Sequence, residues 1–442
     1  MAGADLDTLE SLVAKQLLHR RGSGPDARLL MLHTVREYAL ERLETDSAAQ
    51  QVRESHCRHY LALAERAEPQ LYASGEGDSL RRLDAERENL RAALQWSLRG
   101  GDPTLGLRLA ILLNYYWDIR GALAEGIGWL REALDAAGDE AEIADRARAL
   151  CAQVNLVVDW LHSADARSRI EEARALAQDA LALARESRDP GTIAQALLGV
   201  AWIDYHDPLP QQSRRALAEE ALANARSADD ERLVAFAGME AALALQPERG
   251  AHEIEQAAAL LRDIGGFRLL VMLYSSASVN AIKVGDLERA LAWLDEALPL
   301  GRAHDDPLGV CVVCGRLGHA ALLTGDLDRA RRALAEHLEL AQKHRFWVAA
   351  RGLAGLAAIE TRGGNLERAA RLLGAATATG PWDADADLTE DLEQKFFSPA
   401  RATCGERRWR EAYDAGARLD FEQSVALGLG FVRNPQLTAA SA

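Results

Sequence analysis

The sequence predicts an all-α protein: a right-handed superhelical solenoid of stacked helical hairpins. Three observations carry this expectation. A six-residue phrase recurs as Gly285-Asp286-Leu287-Glu288-Arg289-Ala290, Gly325-Asp326-Leu327-Asp328-Arg329-Ala330 and Gly364-Asn365-Leu366-Glu367-Arg368-Ala369. The copies lie 40 and 39 residues apart (285 to 325, 325 to 364), a period that marks helical repeat arrays. Only 5% of the 442 residues are aromatic and 12 are proline, which suits helices.

Each phrase reads as a turn between two helices. Its glycine follows an apolar, Ala-rich stretch such as Leu317-Gly318-His319-Ala320-Ala321-Leu322-Leu323, and can take the left-handed conformation that ends a helix. Asp286, Asp326 or Asn365 then caps the next helix. The acid two residues later suits the positive helix start. The closing alanine leaves room for a neighbouring helix. Apolar residues follow at helical spacing: Leu291, Leu294 and Leu298, then Leu334 and Leu338. A single hairpin cannot bury such a face; a stack can.

The period extends backwards. Trp129-Leu130-Arg131-Glu132-Ala133-Leu134 matches Trp293-Leu294-Asp295-Glu296-Ala297-Leu298, 164 residues on, or four periods of 41. Degenerate copies fall near 168–186, 211–227 and 250–264. About seven hairpins are expected over 103–377, with capping helices and a tail over 378–442.

Composition narrows the function. The formal net charge of −16 argues against non-specific nucleic-acid binding. The four lysines are Lys15, Lys283, Lys343 and Lys395, so arginine carries nearly all positive charge. No run of 18 apolar residues occurs, so no membrane helix is expected. The first residues lack the pattern of a secretory signal. Five scattered cysteines predict a reducing, cytoplasmic setting.

The first hundred residues differ. A helix is expected over 5–21, with Leu6, Leu9, Leu12, Val13 and Leu17 on one face. Leu17 to Arg21, a Gly-Ser-Gly-Pro turn and Arg28 to Leu32 read as a β-hairpin. A helix over 33–45 follows. Together, 1–45 read as the second half of a winged helix, as if the chain began inside a domain. Connector helices are expected over 46–102.

The run Leu30-Met31-Leu32-His33-Thr34-Val35-Arg36-Glu37-Tyr38-Ala39-Leu40-Glu41-Arg42-Leu43 resembles the segment joining winged helix to repeats in bacterial STAND-type regulators, signal-transduction ATPases with numerous domains. Leu83-Asp84-Ala85-Glu86-Arg87-Glu88-Asn89-Leu90-Arg91-Ala92-Ala93-Leu94 is similar to their next recurrent segment, and Arg371 to Ala376 with the tail from Trp409 to Leu429 to their closing helices. The resemblance implies tetratricopeptide-like repeats that sense a ligand or partner and restrain a nucleotide-binding switch domain. That domain is expected in the family, but this chain lacks its phosphate loop: no lysine has the required glycine before it and Ser or Thr after it. No complete DNA-reading helix-turn-helix stands out. Nucleotide hydrolysis and direct DNA binding are therefore not assigned to this chain.

Several constellations invite chemistry. Cys311-Val312-Val313-Cys314 has redox or half-zinc spacing, but no second pair completes a zinc site; packing is the expectation. His56, Cys57 and His59 lie among Arg53, Glu54 and Arg58, as on a solvated helix face. Asp383, Asp385 and Asp387 alternate as in a calcium loop, but Leu388 and Gln394 stand at positions that need glycine and glutamate. Trp129 and Trp293 read as core. No cofactor or metal is expected, and no nucleophile–base set marks an enzyme.

The constellation with most promise lies in the early repeats. Three first helices end in aromatic and acidic residues: Tyr115, Tyr116, Trp117 and Asp118; Asp159 and Trp160; Trp202, Asp204, Tyr205 and His206. The tryptophans are 43 and 42 residues apart (117, 160, 202), so stacking would bring them into a row. Such a row suits a cationic or planar ligand or a peptide; large aromatics also fill the wedge between splayed hairpins as core, the more usual role. The expected function is a sensor that holds a protein partner or small effector in the repeat groove. The alternative is a free-standing scaffold for a protein partner.

Overall fold

The computed structural model describes residues 6–22, 28–160, 167–203, 211–244, 250–346, 348–380 and 390–433. The fold is an all-α solenoid. The chain opens with α1 (Leu6–Ala14), the antiparallel hairpin of β1 (Leu18–Arg21) and β2 (Arg28–Met31), and α2 (His33–Glu44). The first helix is shorter than the expected 5–21. Gln16 takes φ 58° and the Leu17 amide bonds back to Leu12, so the chain turns into β1 instead. No residue of α1 or α2 is buried. Arg28, which bonds Glu86 and the Ala85 carbonyl, ties the hairpin to the body.

Three connector helices follow: α3 (Ala49–Leu71), α4 (Glu76–Ala85) and α5 (Arg87–Gly100). The paired helices come next. First helices are α6 (Pro103–Leu112) with its continuation α7 (Asn114–Ile119), α9 (Ile143–Trp160), α11 (Pro190–Ile203), α13 (Glu231–Leu243), α15 (Phe267–Lys283), α17 (Pro307–Thr324) and α19 (Ala349–Arg362). Their partners are α8 (Leu123–Ala137), α10 (Arg167–Ser187), α12 (Gln211–Ser227), α14 (Ala251–Asp263), α16 (Leu287–Ala303), α18 (Leu327–His344) and α20 (Leu366–Thr379). Among the described residues this makes seven hairpins. The chain closes with a π-helical turn (Glu393–Phe397), α21 (Ser398–Cys404), α22 (Glu406–Ala417) and α23 (Phe421–Arg433).

The repeated phrase works through its backbone. Gly285, Gly325 and Gly364 take φ of 80°, 84° and 77°. The following amides reach back five residues, Asp286 to Ala281, Asp326 to Ala321 and Asn365 to Glu360, which satisfies carbonyls at the helix end. Asp286 and Asp326 cap the Arg289 and Arg329 amides. Asn365 does not cap: its amide donates to the Glu360 carboxylate instead. The closing alanines Ala290, Ala330 and Ala369 are fully buried.

A second signal marks the other turns. Asp102, Asp189, Asp230 and Asp306 cap first helices through Thr104, Thr192, Arg232 with Leu233, and Gly309. Proline follows three of them, at 103, 190 and 307, where a missing N–H costs nothing.

First helices pack directly on first helices, from α6 on α9 to α17 on α19. Second helices are bridged by long side chains: Arg131–Glu172, Arg185–Glu220, Arg262–Glu296 and Arg302–Glu336. The closer-packed first helices therefore line the inner side of the curve. α17 is long and apolar enough to cross a membrane, with mean hydropathy 1.4 over 18 residues. A count of consecutive apolar residues misses it, because Arg316 and His319 interrupt. It is 61% buried inside the array, between α16 and α18, as a core helix. At the far end, α20 and α22 cross at Gly374 and Gly416, where any side chain would overlap the Tyr413 or Arg371 carbonyl.

Candidate functional site on the inner face

The corner between α3 and α4 reaches across the inner face. Glu68, Tyr72 and Glu76 lie four residues apart around the end of α3. All their distant partners sit on first helices or at their starts. The Tyr72 ring stacks on Tyr115 of α7, with centroids 4.2 Å apart and planes at 13°. It meets Phe236 of α13 edge-on at 6.2 Å. Trp202 of α11 lies 5.9 Å beyond Phe236, and its indole N–H donates to Glu240 at 3.2 Å. Four aromatic rings thus join hairpins distant in sequence.

Two arginines frame the rings. Arg232 donates to Glu68 at 2.8 Å and lies over the Tyr72 ring at 5.1 Å. Arg268 donates to Glu76 at 2.6 Å and to the His304 and Asp305 carbonyls at 3.1 Å. It also pairs with Asp306 at 3.1 Å. Each is the second residue of its helix, α13 or α15. A cation there opposes the helix dipole, so carboxylates must hold it. Burial works against the charge on Arg232, but Glu68 and Asp230 raise its pKa overall. Asp306 and Glu76 do the same for Arg268. Burial, then the Glu68 charge, pushes the Tyr72 phenol up. Burial, then Asp118, does so for Tyr115. These phenols stay neutral, and the cluster offers aromatic faces, two fixed cations and their acids.

Of the residues singled out in the sequence, Tyr115, Asp118 and Trp202 belong to this cluster. Tyr116 and Trp117 do not face it. Tyr116 is 4% exposed and donates to Asp84 at 3.1 Å; Trp117 is 3% exposed, packed over Gly126. Both fill the core, Tyr116 towards Asp84 of α4 and Trp117 towards Gly126 of α8. The side chains of Asp159 and Trp160, and all of Asp204, Tyr205 and His206, lie outside the described residues. So do Asp383, Asp385 and Asp387. The sequence reading missed Tyr72, Phe236, Arg232, Arg268, Glu68 and Glu76. Two signals could have found them: the four-residue spacing of Glu68, Tyr72 and Glu76, and arginine at matching helix starts.

The other candidates settle as packing. Cys311 and Cys314 are buried and unbridged. Burial pushes the Cys311 thiol up to about 12 and Cys314 higher still, far from a reactive thiolate. His56 and His59 flank Tyr60 on α3, with rings 4.7 and 5.0 Å from it. Trp293 is buried and donates to Glu255 at 2.6 Å. Among the described residues no three His, Cys, Asp or Glu side chains are grouped to hold a metal.

No family model matches the chain. A 211-residue stretch is 36% identical to "Putative HTH-type transcriptional regulator Rv0890c" of Mycobacterium tuberculosis, and equally to Mb0914c of Mycobacterium bovis. The match covers 44% of this chain and 23% of those proteins, so the chain spans less than a quarter of its curated relatives. Among solved structures, a Rap protein complexed with competence and sporulation factor superposes with a TM-score of 0.52 at 13% identity, over 87% of this chain and 98% of that one. At that identity the likeness speaks to fold alone. A STAND protein with a tetratricopeptide repeat sensor from Pyrococcus horikoshii gives a TM-score of 0.41 at 16% identity, over 77% of this chain and 59% of that one, too loose to carry an argument.

Proposed function

We propose that this chain is the sensing part of a STAND-type transcription regulator. Its inner face takes a protein or small effector, and the chain does no chemistry of its own. The observation that carries the reading is the cluster of Tyr72, Tyr115, Phe236 and Trp202 framed by Arg232 and Arg268. It assembles binding groups from hairpins far apart in sequence, with Glu68 and Glu76 each committed to an arginine. The 36% match to HTH-type regulators supports a role in transcription control. The Rap-like fold is that of a protein solved in complex with a factor, which is compatible with a binding role for the array. Occupancy of the inner face would shift how the array packs against the connector and the N-terminal hairpin.

A thermal-shift screen of small molecules and peptides on the full chain tests this. A ligand at a hundred times its Kd stabilises by about 2.7 kcal/mol. Substituting Tyr115→Ala or Trp202→Ala should abolish that shift. Effectors that bind only the outer arginine–glutamate face, indifferent to both substitutions, would refute the inner-face reading. ATP binding by this chain would refute the absence of a switch site.

A further inference from the structure

We propose that the α3–α4 corner is a tethered occupant of the inner face. The site beneath it takes a partner segment that presents an aromatic ring between two carboxylates, as Glu68, Tyr72 and Glu76 do. This deepens the sensor reading and rests on it. The corner's partners lie far along the chain. Glu68 meets Arg232 across 164 residues and Glu76 meets Arg268 across 192. A connector that only led into the first hairpin would have no need to touch the fourth and fifth.

The corner's contacts with the far hairpins also differ in kind from core packing. Neighbouring Leu71 is fully buried in the connector core, but the corner meets the far hairpins through ion pairs, one arginine over a ring and ring–ring contacts. Ion pairs and ring faces can be reproduced by another segment that carries the same groups. The corner is a short turn between two helices. Tyr72 ends α3 with a return bond to Gln70, the Ala73 and Glu76 amides bond back to Gln70 and Ala73, and Ser74 and Gly75 lead into α4. Gly265 shows how closely the two surfaces are matched: a Cβ there would lie 2.7 Å from the Ser74 amide nitrogen.

Departure of the corner would leave its partner groups behind. Arg232 and Arg268 sit at helix starts that disfavour cations. Without Glu68 and Glu76, Arg232 keeps Asp230, and Arg268 keeps Asp306 with the His304 and Asp305 carbonyls. The face of Tyr115 and the edge of Phe236 lose the ring between them. The opened site therefore asks for two carboxylates and an aromatic ring. A segment of that kind competes with the corner, which acts at an effective concentration of order mM.

The test uses the full chain and a labelled peptide of its own residues 66–78. Two release variants are made, Glu68→Gln with Glu76→Gln, and Tyr72→Ser, each checked for helix content. In each, hydrogen exchange at residues 72–76 should be about tenfold faster or more. The peptide should bind each at least about tenfold tighter than it binds the unaltered chain. Adding Arg232→Ala and Arg268→Ala should remove that binding. Unchanged exchange at the corner, an open corner that ignores the peptide, or binding indifferent to both arginines would each overturn the proposal. An unaltered chain that still binds its effector while released variants ignore the peptide would sink the occupant alone. Peptide capture without any effector response would sink the sensor reading alone.

Discussion

Arg268 is the most exposed test of this architecture, because one side chain holds three segments together. It is 15% exposed, and its partners Glu76 and Asp306 are 11% and 12% exposed. Replacing it by methionine keeps the stem and removes the charge, leaving two carboxylates buried without their cation. Removing one member of such a buried pair costs about 3–5 kcal/mol. The cost should depend on pH. Burial already holds the Asp306 carboxyl above its ordinary 3.8, and Arg268 is what pulls it back down. Without Arg268 it rises further. A carboxyl with a folded pKa above its unfolded value costs stability as pH rises between the two, and the full cost applies above the folded value. The deficit of Arg268→Met should therefore be largest at neutral pH and shrink as pH falls towards about 4. Urea unfolding followed by circular dichroism at both pH values measures it, with hydrogen exchange of α15 and the corner as the local readout. A loss under about 1 kcal/mol, the range of exposed pairs, would refute the buried clamp. An equal loss at both pH values would refute the role of the Asp306 charge.

Trp117→Ala should lose about 3–5 kcal/mol in unfolding experiments while effector affinity is kept; Trp202→Ala should do the reverse. Gly374→Val and Gly416→Val should each cost about 1–3 kcal/mol or more by forcing α20 and α22 apart, whereas Gly430→Ala, with nothing near its added methyl, should leave the melting temperature unchanged or slightly raised. Asp326→Ala should cost about 1 kcal/mol in melting experiments as a lost cap; Asn365→Ala should cost clearly less, because its side chain caps nothing. Cys311 and Cys314 should resist a thiol reagent at mildly alkaline pH and react only as fast as the array opens, so rapid labelling in the native state would contradict their burial.

The array was legible because its signals are local. Gly325 must take φ 84° within its own turn, Asp326 caps an amide three residues on, and neither depends on what lies across the fold. Local patterns misled where two roles share one residue type. Trp117 and Trp202 recur in nearly the same register, yet one is core and the other lies beside Phe236. Which face of its helix each presents depends on the short α7 and on how the hairpins splay.

By itself the sequence determined the repeat: its period, its turns, its helical character and the lack of a phosphate loop. The tertiary structure decided which side chains meet across the inner face. Arg232 and Arg268 look like ordinary surface arginines until the curve of the array carries them to a corner 164 and 192 residues away. The reason is physical. Caps and turns are set by neighbours along the chain, whereas contacts between distant hairpins follow from small rotations accumulated at every helix packing in between.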